Sequence, residues 1–504
     1  MRRDERERAA EARWLDSLRN GYTDVHPIVS ARRSFDAQWA DGGWAHDPHP
    51  EMLPPAPLPG SPPLDSTAAA GRTFFAILFW FALATSLELW WLNSPAESIT
   101  DLSGIFLAIG RITGMVGGFV LLFQVLLMSR VGWLERWIGA HDLLIWHREL
   151  GGYLLIAILA HVVATIAGYA SGSEVSFLRE TWSMVSSDFD MITATLATAL
   201  LVAVAVMSIR GLRRLMSYEK WYYLHLTSYL VVVGGYAHQF SAGQELMNPG
   251  FGRVYWNGLY VFVLACLAWG RVFGPIVLNV RHRLKVVDVV QEAPGMISIY
   301  IGGSGLGGMR ARAGQYFRWR FFMKGCWWQA HPFSLSAAPN NEWLRLTVKV
   351  VGDHTRDLQR LRPGVRVFAE GPSGVFTADR SVKRRALLIA GGSGIAPIRA
   401  LLEDLPSGTI MIYRAGSERE VLFREELDWI AQERRAYIWY VLGSRDDPGP
   451  RYLFTPNGMR DLVPDLTRRD VFLCGPRGLV DASKTILKKL RVPKRQIHLD
   501  PFEF

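Results

Sequence analysis

The sequence predicts a multi-domain protein: a six-helix transmembrane bundle, then an antiparallel β-barrel, then a parallel α/β domain. Six apolar runs in the first half of the 504-residue chain are each long enough to cross a hydrocarbon core of about 30 Å. Short β-type runs separated by glycine follow, and strands alternate with helices in the last part of the chain. The predicted domains are therefore residues 1–70, 71–280, 281–380 and 381–504.

The first 70 residues are expected to form a disordered arm on the cytoplasmic side of the membrane. They contain arginine, tryptophan and a proline-rich stretch at 54–63, with no apolar segment before a small-residue cleavage site. We interpret His46 and His49 in this arm as solvated rather than metal-binding. The three cysteines lie far apart without a CxxC pair, which argues against a disulfide framework, a zinc ribbon or an iron–sulfur cluster.

Six spans are predicted, and the charges between them set their direction. The spans are 71–92, 101–128, 142–170, 188–209, 221–240 and 254–278. Alternate loops hold most of the basic residues, namely Arg130, Arg136, Arg210, Arg213, Arg214, Lys220, Arg281, Arg283 and Lys285. The opposite loops hold only Arg179 and Arg253. Positive charge stays on the cytoplasmic side, so both termini are predicted to be cytoplasmic in a multi-pass cell-membrane protein.

The net charge of +10 is also explained by the membrane topology. The basic residues are concentrated in the arm and in the alternate loops that face the cytoplasm, as membrane topology requires. No binding of nucleic acid is therefore expected.

Four histidines occupy two of the outward-running spans. Span three contains His147 and His161, and span five contains His225 and His238, at spacings of 14 and 13 residues. These spacings correspond to about 21 and 20 Å of helix rise, so the histidines form two level pairs. Facing imidazoles at each level would suit six-coordinate haem iron, and the four residues are the candidate metal ligands. The alternative is that they are interfacial or helix-bridging histidines.

The spacing in span five leaves one question open. Fourteen residues turn a helix almost back to the same face, whereas thirteen leave it roughly 140° short. Either Gly234 and Gly235 permit a local distortion, or the two haems are offset sideways.

Three barrel segments have residue types that suit a flavin. Segment 331–334 places an aromatic ring beside a hydroxyl at a strand end, where a flavin ring can pack. Segment 352–355 opens a short helix whose N–H groups suit a pyrophosphate. Segment 371–374 closes the barrel with a tight turn. The candidate cofactor-binding residues are His331, Pro332, Phe333, Ser334, Gly352 and Thr355.

The last domain carries a signal for a nucleotide. The run GGSGIAP at 391–397 follows a strand and opens a helix, where glycines let the backbone approach a phosphate. Later, the run CGP at 474–476 ends a strand where a nicotinamide can lie against the thiol. The candidate nucleotide-binding residues are Gly391, Gly392, Gly394, Pro397, Gly475 and Pro476.

Two arginines and two candidate catalytic residues, Cys474 and Phe504, complete the candidate site. Arg414 and Arg419 can bind a ribose 2′-phosphate, which favours NADPH over NADH. Cys474 is placed at the nicotinamide. The terminal Phe504 can cover the flavin ring until the nicotinamide displaces it.

Together these motifs resemble the NADPH oxidase and ferric reductase superfamily over about residues 72–504. The paired histidines resemble its bis-haem pattern, HPFSLSAAP its FAD motif, GGSGIAP its NADPH loop, and LCGP with a final Phe its nicotinamide end. The resemblance implies electron transfer from cytoplasmic NADPH through FAD and two b-type haems to ferric chelates or oxygen outside. Animal NADPH oxidases have a histidine and an aromatic residue where this chain has Thr165 and Val231, and these departures argue against reduction of oxygen to superoxide. Ferric chelate and oxygen are both kept as candidate acceptors.

Two other functions are compatible with parts of the pattern. In the first, the chain is an electron-donor subunit that reduces a membrane quinone or a partner protein. A homo-oligomer is also compatible with the sequence. In the second, the spans form a transporter or a haem-binding sensor and the flavin domain is regulatory. A complete flavin and nucleotide module argues against a sensor, because a sensor needs no hydride acceptor.

Overall fold

The computed structural model describes residues 66–93, 99–241, 243, 246, 250–324 and 327–500. The chain divides into two compact units, Thr67–Gly274 and a second that contains the described residues from Pro275 onward. The predicted arm up to residue 65 and the candidate Phe504 lie outside the described residues.

The regular secondary structure of the first unit is helical in its described part. Its helices are α1 (Ser66–Asn93), α2 (Leu102–Leu127), α3 (Gly132–Ile138), α4 (Ala140–Ser173), α5 (Phe177–Ser187), α6 (Phe189–Met207), α7 (Arg210–Arg213), α8 (Tyr218–Leu226), α9 (Ser228–Ser241) and α10 (Phe251–Ala268). A π-helical turn, Trp269–Phe273, continues α10 into α11 (Gly274–His282).

Five of the six predicted spans are confirmed as helices long and apolar enough to cross a membrane. Within the described residues these are Ala70–Leu92, Leu102–Leu127, Ala140–Ser173, Phe189–Met207 and Phe251–His282. The predicted span 221–240 is instead divided into α8 and α9, which meet at Thr227. Its residues are helical on both sides of this break, but neither piece is long enough to span the membrane alone.

Helices α2 and α4 pack closely along their length. The hydroxyl of Ser103 donates a hydrogen bond to the carbonyl of Gly168 at 2.7 Å. Near the other end of the pair, the amide of Gln124 donates to the carbonyl of His147 at 3.0 Å. Because a polar group inside an apolar bundle is costly without a partner, these two bonds set the register of α4 against α2.

The flavin-type region consists of two three-stranded antiparallel sheets. Its strands are β1 (Lys285–Ala293), β2 (Met296–Gly302), β3 (Tyr316–Phe321), β4 (His331–Ser334), β5 (Trp343–Lys349) and β6 (Val367–Ser373), with the short helix α12 (Asp353–Asp357) between the last two. The strand orders are β1-β2-β5 and β4-β3-β6. Single bridges, Lys285 to Arg366 and Leu335 to Leu346, join the sheets. The predicted barrel is thus antiparallel, but no continuous ladder closes it in the described residues.

The α/β region is a five-stranded parallel sheet, as predicted. Its strands are β7 (Arg385–Gly391), β8 (Ile410–Arg414), β9 (Tyr437–Val441), β10 (Arg469–Cys474) and β11 (Ile497–Leu499), in the order β11-β10-β7-β8-β9. Its helices are α13 (Ile395–Asp404), α14 (Arg424–Glu433), α15 (Pro448–Leu453), α16 (Pro456–Leu462) and α17 (Arg477–Lys489). Strands β7 and β10 are buried on both faces, and the carboxyl ends of all five strands share one edge.

Candidate functional site

The four histidines of the first unit meet in two pairs. The rings of His147 and His225 have centroids 5.9 Å apart, and those of His161 and His238 have centroids 6.3 Å apart. Metal–imidazole bonds of about 2.0 Å, plus about 1 Å from ring nitrogen to ring centre, give roughly 6 Å between two axial imidazoles on one metal. Both pairs therefore have the separation that a single six-coordinate iron between them requires.

Hydrogen-bond contacts at Nδ1 of His161 and of His225 favour a proton on that nitrogen, which leaves Nε2 of each ring without one. Nδ1–H of His161 donates to the carbonyl of Gly110 at 2.8 Å. Nδ1 of His225 lies 3.4 Å from the hydroxyl of Ser208, which itself donates to the carbonyl of Val204. Because a neutral imidazole with a protonated Nδ1 keeps its lone pair on Nε2, these contacts favour in each ring the tautomer that a metal ligand needs.

The partner histidine in each pair has an unsatisfied polar atom. Nδ1 of His147 and Nδ1 of His238 are buried and have no hydrogen-bond partner among the described residues. An ideal Cβ built on Gly114 would lie 2.7 Å from Nδ1 of His161, so only glycine lets that ring lie against α2. The residues present therefore suit two haem groups, one between each pair of histidines.

The break at Thr227 supplies part of the rotation that the 13-residue spacing lacks. The Thr227 hydroxyl donates to the carbonyl of Leu224 at 2.6 Å, and its N–H donates to the same carbonyl at 3.1 Å. Leu230 N–H in turn donates to the carbonyl of Thr227, again three residues back. Each residue of such a 3₁₀ turn rotates the helix about 20° more than an α-helical residue does, which recovers part of the missing rotation.

The break is therefore local and lies before the two glycines named from the sequence. Helix α9 runs unbroken through Gly234 and Gly235, so these residues do not distort it. An ideal Cβ on Gly234 would lie 3.0 Å from that of Ala197, which shows that this glycine permits close packing of α9 on α6. Helix α8–α9 is therefore distorted at Thr227 and not at the two glycines.

Strand β4 contains the predicted flavin motif. It pairs with β3, with Ser334 opposite Tyr316 and His331 opposite Trp319. The rings of His331 and Phe333 stack with centroids 5.6 Å apart and planes 8° apart. Because side chains alternate along a strand, this ring pair lies on one face of β4, and the exposed Pro332 and buried Ser334 lie on the other. The strand thus offers an aromatic surface on one side and a hydroxyl on the other.

The second flavin segment is a stiffened loop. The Thr355 hydroxyl accepts hydrogen bonds from the amides of Val351 at 2.9 Å and Gly352 at 3.1 Å, and donates to the Gly352 carbonyl at 3.0 Å. The amides that precede α12 are therefore used within the loop. Those of its first turn have no partner inside the helix and are the ones suited to a pyrophosphate.

The two glycine-containing loops of the α/β region touch at the carboxyl edge of the sheet. Strand β7 leads into a 3₁₀ turn, Gly392–Gly394, and then into α13, which has Pro397 in its first turn. Strand β10 lies beside β7, with Cys474 opposite Ala390. An ideal Cβ on Gly394 would lie 2.3 Å from the Cys474 carbonyl oxygen, so a side chain there would force the loops apart.

Gly391, Gly392, Gly475 and Pro476 belong to the same contact. The Cβ positions of Gly391 and Gly475 would lie 2.6 and 2.9 Å from Cδ2 of Leu479. Gly392 adopts a positive φ of 55° and faces Pro476. The structure thus brings together the candidate nucleotide residues of 391–397 and 474–476.

The two candidate arginines have different surroundings. The Arg414 guanidinium donates to the carbonyls of Ala415, Val441 and Gly443, so it ties together the loops after β8 and β9. Arg419 is exposed in the loop after β8. The neighbouring Glu420 accepts from the Gly416 amide and the Ser417 hydroxyl at 3.3 and 3.4 Å. Of the two arginines, Arg419 is the better placed for a phosphate.

Comparison with known families assigns each region. Residues 113–236 match the ferric reductase like transmembrane component, 296–377 match an FAD-binding domain, and 388–485 match the oxidoreductase NAD-binding domain. This is the domain set of the NADPH oxidase and ferric reductase superfamily. The chain is accordingly an NAD(P)H-dependent membrane oxidoreductase with FAD- and NAD-binding domains. Three of the four candidate ligands lie inside the first match, and His238 lies two residues beyond it.

Three curated relatives of the chain are named as reductases. Ferredoxin–NADP reductase B of Sorangium cellulosum is 26% identical over 190 residues, 34% of this chain and 77% of the relative. NADH-cytochrome b5 reductase 1 of Laccaria bicolor is 30% identical over 154 residues, 28% of this chain and 50% of the relative. An NADH-cytochrome b5 reductase-like protein of Emericella nidulans is 30% identical over 211 residues, 40% and 46% of the two chains. The chain thus spans about half the length of each of the two relatives named for NADH-cytochrome b5 reductase.

Two solved structures are similar to the chain with TM-scores below 0.5. Flavohemoglobin from Malassezia yamatoensis, with bound FAD and heme, has a TM-score of 0.41 at 17% identity, covering 78% of this chain and 98% of that one. The FAD/NAD-binding domain of a Vibrio cholerae nitric oxide dioxygenase has a TM-score of 0.37 at 23% identity, covering 44% and 98%.

One residue near the predicted site escaped the sequence analysis. The Ser334 hydroxyl donates to the Asp500 carboxylate at 3.4 Å, and the Cys474 thiol donates to the Asp500 carbonyl at 3.2 Å. Burial raises the pKa of Asp500 to about 6, and the hydrogen bond from Ser334 opposes the rise. Burial also raises the pKa of the Cys474 thiol. The only sequence signal was an acidic residue just after β11, four residues before the predicted Phe504.

We expect Asp500→Asn to stabilise the protein at pH 8 and to leave its stability unchanged at pH 4. A carboxyl whose pKa is raised by folding binds more protons when folded, so stability falls as pH rises from about 4 through about 6. Above pH 6 the ionised Asp500 lowers the free energy of unfolding by up to about 3 kcal/mol. Asparagine does not ionise, so the variant does not lose this stability. Thermal unfolding of both proteins across this range measures it, and an equal gain at both pH values would contradict the argument.

Proposed function

We propose that this protein transfers electrons from cytoplasmic NADPH through FAD and two b-type haems to an acceptor on the opposite face of the membrane. When bound, FAD supplies a two-electron acceptor that can release single electrons, and haem iron supplies one-electron carriers. The residues of this chain provide the binding, the spacing and the electrostatics.

The two histidine pairs are the observation that supports this proposal most directly. Ring separations of 5.9 and 6.3 Å occur at two levels about 20 Å apart along the helices, on a chain that also matches FAD- and NAD-binding domains. One pair alone could be a structural contact. Two pairs, each with a hydrogen-bonded Nδ1 on one side and an unsatisfied buried Nδ1 on the other, support a carrier at each level.

The second unit provides the nucleotide and flavin sites. The turn at Gly392–Gly394 and the first turn of α13 direct backbone amides toward a phosphate. The stacked rings of His331 and Phe333 provide an apolar surface for a flavin ring. Ser334 and Asp500 form a hydrogen-bonded pair able to donate or accept a proton near neutral pH, because the pKa of Asp500 is raised to about 6.

The direction of transfer follows from the charge of the loops. Arginine and lysine concentrate in alternate loops of the apolar half of the chain, which supports a cytoplasmic flavin module with access to the nucleotide pool. His147 and His225 are then nearer the cytoplasm, and His161 and His238 are nearer the outer face. The acceptor outside is a ferric chelate or oxygen.

Purified protein in sealed liposomes tests this proposal. Nucleotide added outside reaches only the molecules whose flavin module faces outward, since it does not cross the bilayer. Ferric chelate trapped inside without oxygen reports reductase activity. Dismutase-sensitive cytochrome c reduction inside, with oxygen present, reports superoxide.

The results of the liposome assay distinguish the candidate acceptors. A ferric signal without dismutase sensitivity identifies a ferric reductase, and a dismutase-sensitive signal identifies an oxidase. Haems that are reduced by the nucleotide without either signal would indicate that a quinone or a partner protein is the acceptor. Purified protein that retains no haem would contradict the proposal and favour the sensor or transporter.

We expect Arg419→Ala to lower kcat/KM for NADPH about tenfold and to leave kcat/KM for NADH unchanged. The exposed guanidinium follows β8, where an arginine accommodates the 2′-phosphate of NADP-type nucleotides. Steady-state rates of flavin reduction with each nucleotide measure the effect, and Arg460→Ala, on the remote helix α16, is the matched control. Equal losses with both nucleotides would show that Arg419 does not contact the 2′-phosphate.

A further inference from the structure

Four charged side chains form a buried cluster between the flavin and nucleotide regions. Arg345 lies on β5, Arg399 and Glu403 on α13, and Glu426 on α14. Their side chains are 0 to 9% exposed. Nη1 and Nη2 of Arg345 each lie 3.2 Å from a carboxylate oxygen of Glu426, and Arg399 forms ion pairs with both Glu403 and Glu426. With two positive and two negative groups, the cluster is neutral overall.

The cluster binds the chain segment that follows the flavin motif. The carbonyl of Ser336 accepts from Nη2 of Arg345 at 2.8 Å and from Nη1 of Arg399 at 3.3 Å. The amide of Ala338 donates to Glu403 at 3.1 Å. Ser336 and Ala338 lie only two and four residues after Ser334, so these bonds hold the end of β4.

The same side chains belong to the helix that the glycine loop opens. Arg399 and Glu403 are in the second and third turns of α13, directly after the turn at Gly392–Gly394. A helix is stiff over so short a distance, so a shift of Arg399 moves the loop with it. The cluster therefore connects the flavin strand to the nucleotide loop through side chains of α13.

Stability alone does not explain four buried charges here. Removing charged groups from water is expensive, and apolar side chains of similar volume often stabilise a fold equally well or better. Nε of Arg399 and Oε2 of Glu403 are buried with no hydrogen-bond partner among the described residues. Directional ion pairs define a register between the parts that they join. Apolar packing does not.

We propose that Arg399 and Glu403 are positioning residues that hold the nucleotide loop in register with the flavin strand. They act on the rate of hydride transfer and not on nucleotide affinity. In that step, a C–H bond of the dihydronicotinamide breaks, the hydride with its two electrons reduces the flavin, and oxidised nicotinamide leaves. The inference rests on the function proposed above.

The test is the double variant Arg399→Met/Glu403→Met in the full-length protein. It removes one positive and one negative charge and leaves the pair of Arg345 and Glu426 intact. We expect flavin bleaching at saturating NADPH, followed anaerobically by stopped flow, to slow by about tenfold to hundredfold, the loss that misplacement by about 1 Å produces. We expect the Kd for NADP⁺, measured from the flavin spectrum, to stay within about twofold, and reduction of the flavin by dithionite to be unchanged.

Amide exchange gives a readout independent of turnover. We expect faster exchange in segment 335–338 of the double variant, because Ala338 loses its carboxylate acceptor. Arg399→Lys should recover part of the rate, and Glu403→Gln, which keeps an acceptor for Ala338, covers the case in which the double variant fails to fold. The control is Arg320→Met/Glu370→Met, an ion pair that lies within one sheet, between β3 and β6.

The outcomes separate this inference from the function on which it rests. Wild-type rates in the double variant, or equal losses in rate, affinity and thermal stability, would overturn the positioning role. Wild-type flavin that neither NADPH nor NADH bleaches would overturn the proposed function instead. A slower rate with unchanged affinity supports both.

Discussion

Replacement of His161 by alanine is expected to abolish electron transfer across the membrane while the nucleotide still bleaches the flavin. His161 and His238 form the pair predicted to lie nearer the outer face, with ring centroids 6.3 Å apart. If the proposed haem binds at this level, alanine would leave it with one protein ligand, so we expect about half of the haem to be lost. His147 and His225 do not contact this pair, and their haem should remain reducible by NADPH.

A glycine variant tests the same level without removing a ligand. In Gly114→Ala, the new Cβ would lie 2.7 Å from Nδ1 of His161, so the ring must move from its place beside Gly110. We expect a changed spectrum or loss of the outer haem. Gly152→Ala is the matched control, because no atom lies within 4 Å of its Cβ position in the same bundle.

Haem content and the liposome assay decide this prediction. Haem is counted per flavin in the purified variants, and trapped ferric chelate reports transfer. Full haem content and wild-type transfer in His161→Ala would rule out His161 as a ligand. Loss of flavin bleaching would point to general misfolding, which the far-ultraviolet circular dichroism of each variant checks.

The second large effect is expected at the contact between the two loops of the α/β region. In Gly394→Ala, the added Cβ would lie 2.3 Å from the Cys474 carbonyl oxygen and 2.7 Å from the Gly475 amide nitrogen. These are backbone atoms of neighbouring strand ends and cannot turn aside as a flexible side chain can. The loops must separate, and the nucleotide loses its position against the flavin.

We expect this variant to lose flavin reduction by NADPH about a hundredfold or more, because misplacement by about 1 Å already costs that much. FAD content and reduction by dithionite should be unchanged, since the atoms nearest the added Cβ belong to Cys474 and Gly475 and not to the flavin strand β4. Gly478→Ala is the control, because the nearest atom to its Cβ position is 3.9 Å away. Stopped-flow absorbance of the flavin measures both, and a wild-type rate in Gly394→Ala would refute the assigned loop contact.

Much of the architecture could be predicted from local patterns. Apolar runs of 19 or more residues predict spans because the bilayer sets their length, and five of them are confirmed. The loop 391–397 is predicted by glycine and proline positions, whose effect on the backbone does not depend on distant contacts. Helix rise alone placed His147 level with His225 and His161 level with His238.

Helix rotation within span five could not be predicted in this way. Thirteen residues of regular helix would turn His238 away from His225, and the glycines were the obvious explanation. The turn instead tightens at Thr227, whose hydroxyl competes for the carbonyl of Leu224. Threonine makes this bond only in some rotamers, and the packing of the bundle selects among them.

What the sequence determined by itself is the order of domains, the apolar spans, the levels of the four histidines and the glycine loop. Only the tertiary structure decided which distant side chains meet: Ser334 with Asp500, 166 residues apart, and Arg345 with Glu426, 81 residues apart. The physical reason is that periodicity and turn chemistry act over a few residues. Contacts between strands and helices far apart in the chain depend on how whole elements pack.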